Sequence, residues 1–159
     1  MSITYEPIGI VHSPFREPKG MPIQPTGAAE VKATIELFAE YEKGLKDLDG
    51  FSHLILLYHF HKSITYHLHV VPFMDDKPRG VFATRAPKRP NPIGLSVVRL
   101  KRVKGRRLHI MGVDMLDQTP VLDIKPYVPE FDLRGEIKTG WLEKIRKKVV
   151  GQRADKRFS

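Results

Sequence analysis

The sequence predicts a single-domain, mainly antiparallel β fold, and three observations support this prediction. The chain has 159 residues, which is the length of one ordinary domain. Apolar and polar residues alternate with a period of two along most of the chain, whereas helical spacing occurs only briefly. The chain contains no G-x-G-x-x-G and no G-x-x-x-x-G-K-[ST] sequence. A Rossmann-type or P-loop nucleotide site is therefore not predicted.

Strands are predicted where the alternation is bounded by Gly, Pro or charged residues. The clearest case is residues 31–37, where every second residue is apolar. In chain order, the predicted strands are residues 8–13, 31–37, 52–61, 64–71, 80–84, 96–104, 107–113 and 121–127. Helical spacing is confined to residues 38–48 and 141–149, which predicts short peripheral helices. Because the chain has neither glycine-rich nucleotide-binding sequence, a nucleotide-like cofactor would be held by loops, as at the mouth of a barrel.

Charge and composition limit the classes of function. The chain has 27 Lys and Arg residues against 18 Asp and Glu residues, a formal net charge of +9, which favours polyanionic partners such as RNA. It has no cysteine, which excludes disulfides, thiol nucleophiles and cysteine-ligated metals. No secretory signal is recognisable, and the longest apolar run, residues 54–58, is far shorter than the roughly 20 residues of a membrane span. We expect a soluble, cytoplasmic protein with no membrane partner.

Two segments carry the excess positive charge. Residues 99–107 contain six cations around a predicted hairpin at Gly105, and residues 141–159 contain seven cations against two anions. A solvated face or a frayed terminus is the ordinary interpretation of either segment alone. Together they predict contacts with a nucleic-acid backbone.

The strongest chemical signal is the proline-rich segment of residues 80–95. Its prolines restrict the backbone, so that Arg85 and Arg89 are presented to a ligand at little ordering cost. The planar guanidinium group of arginine matches carboxylate and phosphate oxygens. A rigid connection that merely carries exposed arginines is the alternative interpretation.

The last predicted strand carries a second signal. In extended conformation, Asp123, Lys125 and Tyr127 project to one face, while Leu122 and Ile124 take the core face. The first three side chains are candidates for acid–base chemistry. An Asp–Lys ion pair on a solvated sheet face is the alternative.

Four histidines offer a third signal, because they fall in two pairs with strand spacing. These are His59, His61, His67 and His69. A histidine-ligated, metal-dependent barrel enzyme is therefore an alternative function. No acidic residue occurs between Phe51 and Met74, although catalytic metal sites of this kind usually recruit a carboxylate, so we predict no metal.

Four motifs in order resemble the TsaA/TrmO-like (YaeB) family. They are PIGIVHSPF at residues 7–15, DGFSHL at 49–54, ATRAPKRPNPIGLS at 83–96 and VLDIKPY at 121–127. The resemblance covers residues 3–129 and implies a non-Rossmann antiparallel β-barrel there. Larger relatives continue into a C-terminal domain, whereas here a basic C-terminal extension, residues 130–159, follows the last motif. It also implies a homodimer that uses S-adenosylmethionine to methylate N6 of threonylcarbamoyladenosine next to the tRNA anticodon.

The resemblance further implies a set of cofactor-binding residues. They are Pro22, Ile23, Gln24, His61, Lys62, Arg85, Leu95, Met115, Leu116, Asp117 and Gln118. For catalysis we predict Asp123, Lys125 and Tyr127, which would orient the base or relay its proton, with Asp117 as an alternative acid or base. A sulfonium methyl group is already activated, so the reaction requires chiefly a well-placed nucleophile. A non-catalytic RNA-binding module is the other alternative.

Overall fold

A closed antiparallel barrel carries the core of the computed structural model, which describes residues 1–19, 21 and 28–146. The strands are β1 Gly9–His12, β2 Lys32–Leu37, β3 His53–His59, β4 His69–Val70, β5 Arg79–Gly80, β6 Ile93–Lys104, β7 Arg107–Met111 and β8 Pro120–Pro126. Within these described residues, six strands close the barrel in the order β1-β2-β7-β6-β3-β8, and β4 pairs with β5 in a separate sheet. The predicted fold class is confirmed.

Helical segments are short and peripheral, as predicted. Among the described residues they include the 3-10 helices Ala39–Leu45, Leu48–Gly50 and Val81–Ala83, the α-helix Pro129–Asp132, and helical backbone at residues 142–146. Ala39–Leu45 occupies the first segment with helical spacing and buries Leu45 against the barrel. Across residues 1–19, 21 and 28–146, no helix is both long and apolar enough to cross a bilayer.

The barrel interior is filled by the apolar half of each alternating strand. On β2 these side chains are Ala33, Ile35 and Leu37, and on β3 they include Leu54 and Leu56. The same core contains Val11, Val98, Leu108, Ile110, Val113 and Val121. Burying a side chain such as leucine or isoleucine stabilises the fold by about 1.5–3 kcal/mol. Because side chains fill the interior, a ligand site must lie at a rim of the barrel or on its outside.

The strand directions define two rims. Strands β1, β3 and β7 end where β2, β6 and β8 begin. We call this end the upper rim, and its described residues are 13–19, 21, 28–31, 60–92 and 112–119. The lower rim comprises residues 38–52, 105–106 and 127–128.

Two predicted strands are wrong over most of their length. Of residues 64–71 only β4 is extended, and of residues 80–84 only Gly80 is in a strand. Their backbone groups pair with neighbouring loops instead, as when the N–H of Val81 donates to the carbonyl of Leu68. Strand propensity without a partner edge does not form a sheet. Conversely, β6 begins at Ile93 instead of residue 96, because β3 pairs with it as far as His59.

Candidate functional site

The loop of residues 112–119 is tied firmly into the upper rim. Met115 is only 2% exposed, and the Ser13 hydroxyl donates to its carbonyl at 2.7 Å. The N–H of Asp117 donates to the carbonyl of Phe15 at 2.6 Å. Gln118 turns the chain with a left-handed backbone, φ 66°. These contacts fix the positions at which Leu116, Asp117 and Gln118 are presented.

The Asp117 carboxylate is held in its charged form. It accepts hydrogen bonds from the backbone N–H of Ser13 at 3.1 Å and from Nε2 of Gln118 at 3.4 Å. Burial alone would raise the pKa of Asp117, but these hydrogen bonds and the nearby His12 together place that pKa below its ordinary value. The upper rim therefore carries a stable negative charge near neutral pH.

His61 lies at the same rim, in the segment that follows β3. Partial burial, followed by the charges of Lys62 and His59, lowers the pKa of His61, while Asp117 acts in the opposite direction. The opposing effect shows that His61 and Asp117 lie within electrostatic range of each other. A lowered pKa keeps the imidazole neutral near pH 7.

A hydrogen-bonded chain that the sequence analysis missed lies beside these groups. The Tyr58 and Ser96 hydroxyls are 2.9 Å apart, and Ser96 donates to Oδ1 of Asp114 at 2.8 Å, so the Tyr58 hydroxyl donates to Ser96. Burial, and to a lesser extent the nearby Asp114, raises the pKa of Tyr58 to about 12. The hydrogen bond with Ser96 and the charge of Arg85 act in the opposite direction and lower that pKa. The Arg85 guanidinium therefore lies within electrostatic range of this chain.

One signal in the sequence does indicate this series of hydrogen bonds. Ser96 is the single polar side chain in the inward-facing series Ser96, Val98 and Leu100 of β6. A buried polar group needs a partner, so a lone hydroxyl in an apolar series indicates a hydrogen bond across the barrel. Nothing in the sequence indicates that Tyr58 and Asp114 are its partners.

Gly94 makes room for the Tyr58 ring. A Cβ at this position would overlap Tyr58 ring atoms and would lie 2.9 Å from the ring of Phe60. The Tyr58 and Phe60 rings meet edge to face with centroids 5.4 Å apart. The glycine of the proline-rich motif thus admits two aromatic rings at the start of β6.

The two arginines of the proline-rich segment have different surroundings. Nη1 of Arg89 donates to the carbonyls of Thr84 at 2.9 Å and Ala86 at 3.1 Å, so Arg89 braces its own loop. The exposed side chain of Arg85 makes no ion pair with a carboxylate among the residues that the structure describes. Nη1 of Arg89 is thus engaged by its own loop, and Arg85 is the more exposed of the two arginines.

The three predicted catalytic residues share a face, and it is the outside of the barrel. Nζ of Lys125 lies 2.8 Å from the Asp123 carboxylate, which raises the pKa of Lys125. Tyr127 follows β8, and its ring contacts His53 edge to face at 6.4 Å between centroids. These side chains run from mid-barrel towards the lower rim, away from His61 and Arg85.

A bulge in β8 corrects the predicted core face. Leu57 pairs with Asp123 while Tyr58 pairs with Val121, so Leu122 is an extra residue in this ladder. Val121 and Ile124 consequently face the core, and the prediction that Leu122 does so is wrong.

Leu95 also lies away from the upper-rim groups. It projects from β6 beside Leu57 of β3, whose other neighbour is Asp123. We use the name outer face for the outward side chains of Leu57, Leu95, Val97, Asp123 and Lys125. The structure thus gathers His61, Lys62, Arg85 and residues 115–118 at the upper rim and places Leu95 on the outer face. Pro22, Ile23 and Gln24 lie outside the described residues.

The four histidines do not form the predicted pairs of strand residues. Only His59 and His69 lie in strands, and these are β3 and β4 of separate sheets. In the described part of the chain, no three His, Asp or Glu side chains gather in a group that could hold a metal ion.

The family model of the tRNA-methyltransferase O N-terminal domain matches residues 10–133. A probable S-adenosyl-L-methionine-binding protein of Pyrococcus abyssi is 56% identical over 158 residues, covering 99% of this chain and 86% of the relative. The mouse tRNA (adenine(37)-N6)-methyltransferase is 41% identical over 134 residues. That match covers 80% of this chain and 31% of the mouse enzyme.

Solved structures share the same architecture. A crystal structure of TrmO from Pseudomonas aeruginosa superposes with a TM-score of 0.77 at 36% identity, covering 97% of this chain and 76% of that one. The resemblance drawn from the four motifs is confirmed by these matches.

Proposed function

Because this chain belongs to the tRNA-methyltransferase O family, we propose that it is an S-adenosylmethionine-dependent tRNA methyltransferase. The methyl acceptor we propose is N6 of threonylcarbamoyladenosine next to the anticodon. The names of the relatives support the cofactor and the class of substrate, and the net charge of +9 suits an RNA partner. A cytoplasmic location, where tRNA is available, belongs to the same proposal.

The observation that carries the proposal is the set of opposite charges at the upper rim. S-adenosylmethionine has a carboxylate, an ammonium group and ribose hydroxyls, and when bound it supplies a methyl group activated on sulfur. The exposed Arg85 guanidinium suits the carboxylate. Asp114, which accepts only from Ser96 in the described residues, and the charged Asp117 suit the ammonium group and the hydroxyls. The residues present therefore fit this cofactor.

The acceptor nitrogen requires help with its proton. The N6 lone pair is delocalised into the base and the carbamoyl group, so removal of the proton makes the nitrogen a better nucleophile. The lowered pKa of His61 leaves a neutral imidazole at the upper rim that can take this proton. Asp117, which lies within electrostatic range of His61, would stabilise the resulting imidazolium.

We further propose that two copies of the chain pair through the outer face. Ile93, Leu95 and Val97 project from β6 and are 41%, 44% and 45% exposed, an apolar stripe typical of a contact surface. A two-fold dimer would use the same stripe on both copies. The outward side chains of one copy would then reach the upper rim of the other; these are Leu95, Asp123, Lys125 and Tyr127. Asp123, Lys125 and Tyr127 would there orient the modified base.

The C-terminal residues 130–159 are proposed as an extension that helps hold tRNA. Their described part is anchored to the proline-rich segment, because Nε1 of Trp141 donates to the carbonyl of Ala83 at 2.8 Å. Arg79 stacks 5.6 Å from the Trp141 ring centroid. Residues 147–159, with most of the cations of this tail, lie outside the described residues.

The decisive experiment incubates the full chain with labelled S-adenosylmethionine and tRNA that carries threonylcarbamoyladenosine, followed by mass spectrometry of the nucleosides. We expect one added methyl on that nucleoside and none on the same tRNA lacking the modification. Equal methylation of both tRNAs would overturn the substrate assignment. RNA binding without methyl transfer would favour a non-catalytic RNA-binding module.

Variants separate cofactor binding from turnover. Arg85→Ala should abolish the thermal stabilisation by S-adenosylmethionine, whereas Lys88→Ala, a neighbouring exposed cation, should keep it. Lys125→Ala and Tyr127→Phe should keep this stabilisation and lower turnover. Loss of cofactor stabilisation in all four variants would contradict the proposed division of roles. Leu95→Glu should convert a dimer to a monomer in analytical ultracentrifugation.

A further inference from the structure

A basic groove runs along the outside of the barrel on the side formed by β1, β2, β7 and the second half of β6. Its volume is about 640 Å³, and its basic side chains are His12, Lys32, Lys101, Arg102 and His109. None of its lining residues is acidic. The groove is distinct from the outer face, which lies on the other side of the barrel.

Strand register explains why the cations meet. Lys32 of β2 pairs with Met111 of β7, while Arg102 of β6 pairs with His109 on the opposite side of β7. The ladder shifts between Leu100 and Arg102, so Lys101 is the extra residue of a bulge. Simple alternation would turn Lys101 and Arg102 to opposite faces, whereas the bulge leaves both of them exposed. The groove therefore has cations along both edges.

Three of the groove's side chains, Lys32, Lys101 and Arg102, have no carboxylate partner among the described residues, whereas His12 lies 3.3 Å from Glu36. Arg106 and Arg107 of the same hairpin lie 3.2 Å and 3.6 Å from oxygens of Glu36, which neutralises part of their charge. In the part of the chain that the structure describes, Lys32, Lys101 and Arg102 form no ion pair with an acidic residue. Like charges gathered without acidic partners create a positive potential that attracts an anion.

The dimensions suit a nucleic-acid strand. Two strand spacings, about 10 Å, separate β2 from β6 across β7. Since a nucleic-acid strand carries one charge per roughly 3.4 Å of helix rise, the groove can contact two or more successive phosphates. It also adjoins the upper rim, because Ser13 lines the groove and hydrogen-bonds through its N–H to Asp117.

We propose that this groove binds the phosphodiester backbone of the RNA substrate and guides the strand to the upper rim. The proposal rests on the proposed function for the identity of the RNA. It assigns direct phosphate contacts to Lys32 and Lys101, with Arg102 beside them. The hairpin cations nearer Gly105 are partly neutralised by Glu36 and contribute less.

The test measures binding of a fluorescent, unmodified tRNA transcript to the full chain over a series of KCl concentrations. Each lost phosphate contact lowers the slope of log affinity against log salt by about 0.7–0.9. The double variant Lys32→Gln/Lys101→Gln should therefore lower the slope by about 1.4–1.8. The control Lys43→Gln/Lys46→Gln removes two exposed charges at the lower rim and should leave it unchanged. Lys32→Arg/Lys101→Arg should also retain the original slope.

An unchanged slope in the groove variant, or an equal decrease in the control, would overturn the proposal. Thermal unfolding, with and without S-adenosylmethionine, checks that the groove variant is folded and that its upper rim is intact. Because the probe is unmodified and no methyl transfer is measured, this result is independent of the enzymatic assay. A lowered slope in the groove variant, together with no methyl transfer by the wild type, would support the groove and contradict the proposed enzymatic function. An unchanged slope together with methyl transfer would support the enzymatic function and contradict the groove.

Discussion

Replacing Gly94 with alanine should destabilise the barrel at the start of β6. The new Cβ would overlap the Tyr58 ring and lie 2.9 Å from the Phe60 ring, well inside the roughly 3.5–4.0 Å of ordinary carbon contacts. Overpacking of this kind costs about 1–3 kcal/mol. Moving the Tyr58 hydroxyl away from Ser96 adds about 0.5–1.5 kcal/mol. The free energy of unfolding should fall by about 1.5–4.5 kcal/mol, which lowers Tm by about 3–18 °C for a chain of this size.

Differential scanning calorimetry of three variants tests this reasoning. Gly80→Ala is the matched control, because a Cβ at Gly80 would have no described atom of another segment within 4 Å and its φ of −57° is one that alanine adopts freely. Adding Tyr58→Leu to Gly94→Ala should recover part of the loss, since the two residues are in contact. The steric explanation fails if Gly94→Ala melts with the wild type, or if Gly80→Ala loses as much stability.

Three further predictions concern the hydrogen bonds of Asp117, the cation–π contact of Arg79 and the ion pair of Lys125. Because the folded-state pKa of Asp117 is lowered, its contribution to stability is present above its unfolded pKa and disappears as pH falls through the folded value. The wild-type protein should therefore lose Tm between neutral pH and about pH 3, and Asp117→Asn should lose less over the same range, as measured by calorimetry. Trp141 is the single tryptophan, so Arg79→Ala should shift the fluorescence emission to the red as it loses a contact of about 0.5–1 kcal/mol. Lys125→Ala should leave Tm unchanged within error, because its partner Asp123 is solvent-exposed too and surface pairs contribute little.

The barrel could be predicted from the sequence because its strands obey simple alternation wherever they face a filled core. Ala33, Ile35 and Leu37 are buried and their neighbours are not, as the period of two requires. Residues 64–71 carry an equally strong strand pattern, yet Ile64 is 92% exposed and, within the described part of the chain, only His69 and Val70 of this segment pair with another strand. Pairing depends on residues distant in sequence, which a local pattern does not contain.

The upper rim could be predicted only in part. The family resemblance supplied Arg85, His61 and residues 115–118, and the topology places all of these at one end of the barrel. The partners of Ser96 come from β3 and from the loop after β7, so their meeting depends on barrel closure. The sequence left open which arginine contacts which carboxylate. The structure adds that Nη1 of Arg89 binds carbonyls of its own loop, a contact that the local pattern does not reveal.

Both bulges follow from a single feature of the sequence, and each positions a proposed functional surface. Leu100 and Val103 of β6 both face inward, as do Val121 and Ile124 of β8, although a regular strand would turn residues three apart to opposite faces. An unbroken β8 that kept Val121 inside would carry Asp123 and Lys125 into the apolar interior, where charges are costly. One extra residue in each strand removes this conflict. In β6 it exposes Lys101 and Arg102 together in the basic groove, and in β8 it turns the Asp123–Lys125 pair onto the outer face. A spacing of three between inward apolar residues, with charges between them, is therefore a readable signal for a bulge in this chain.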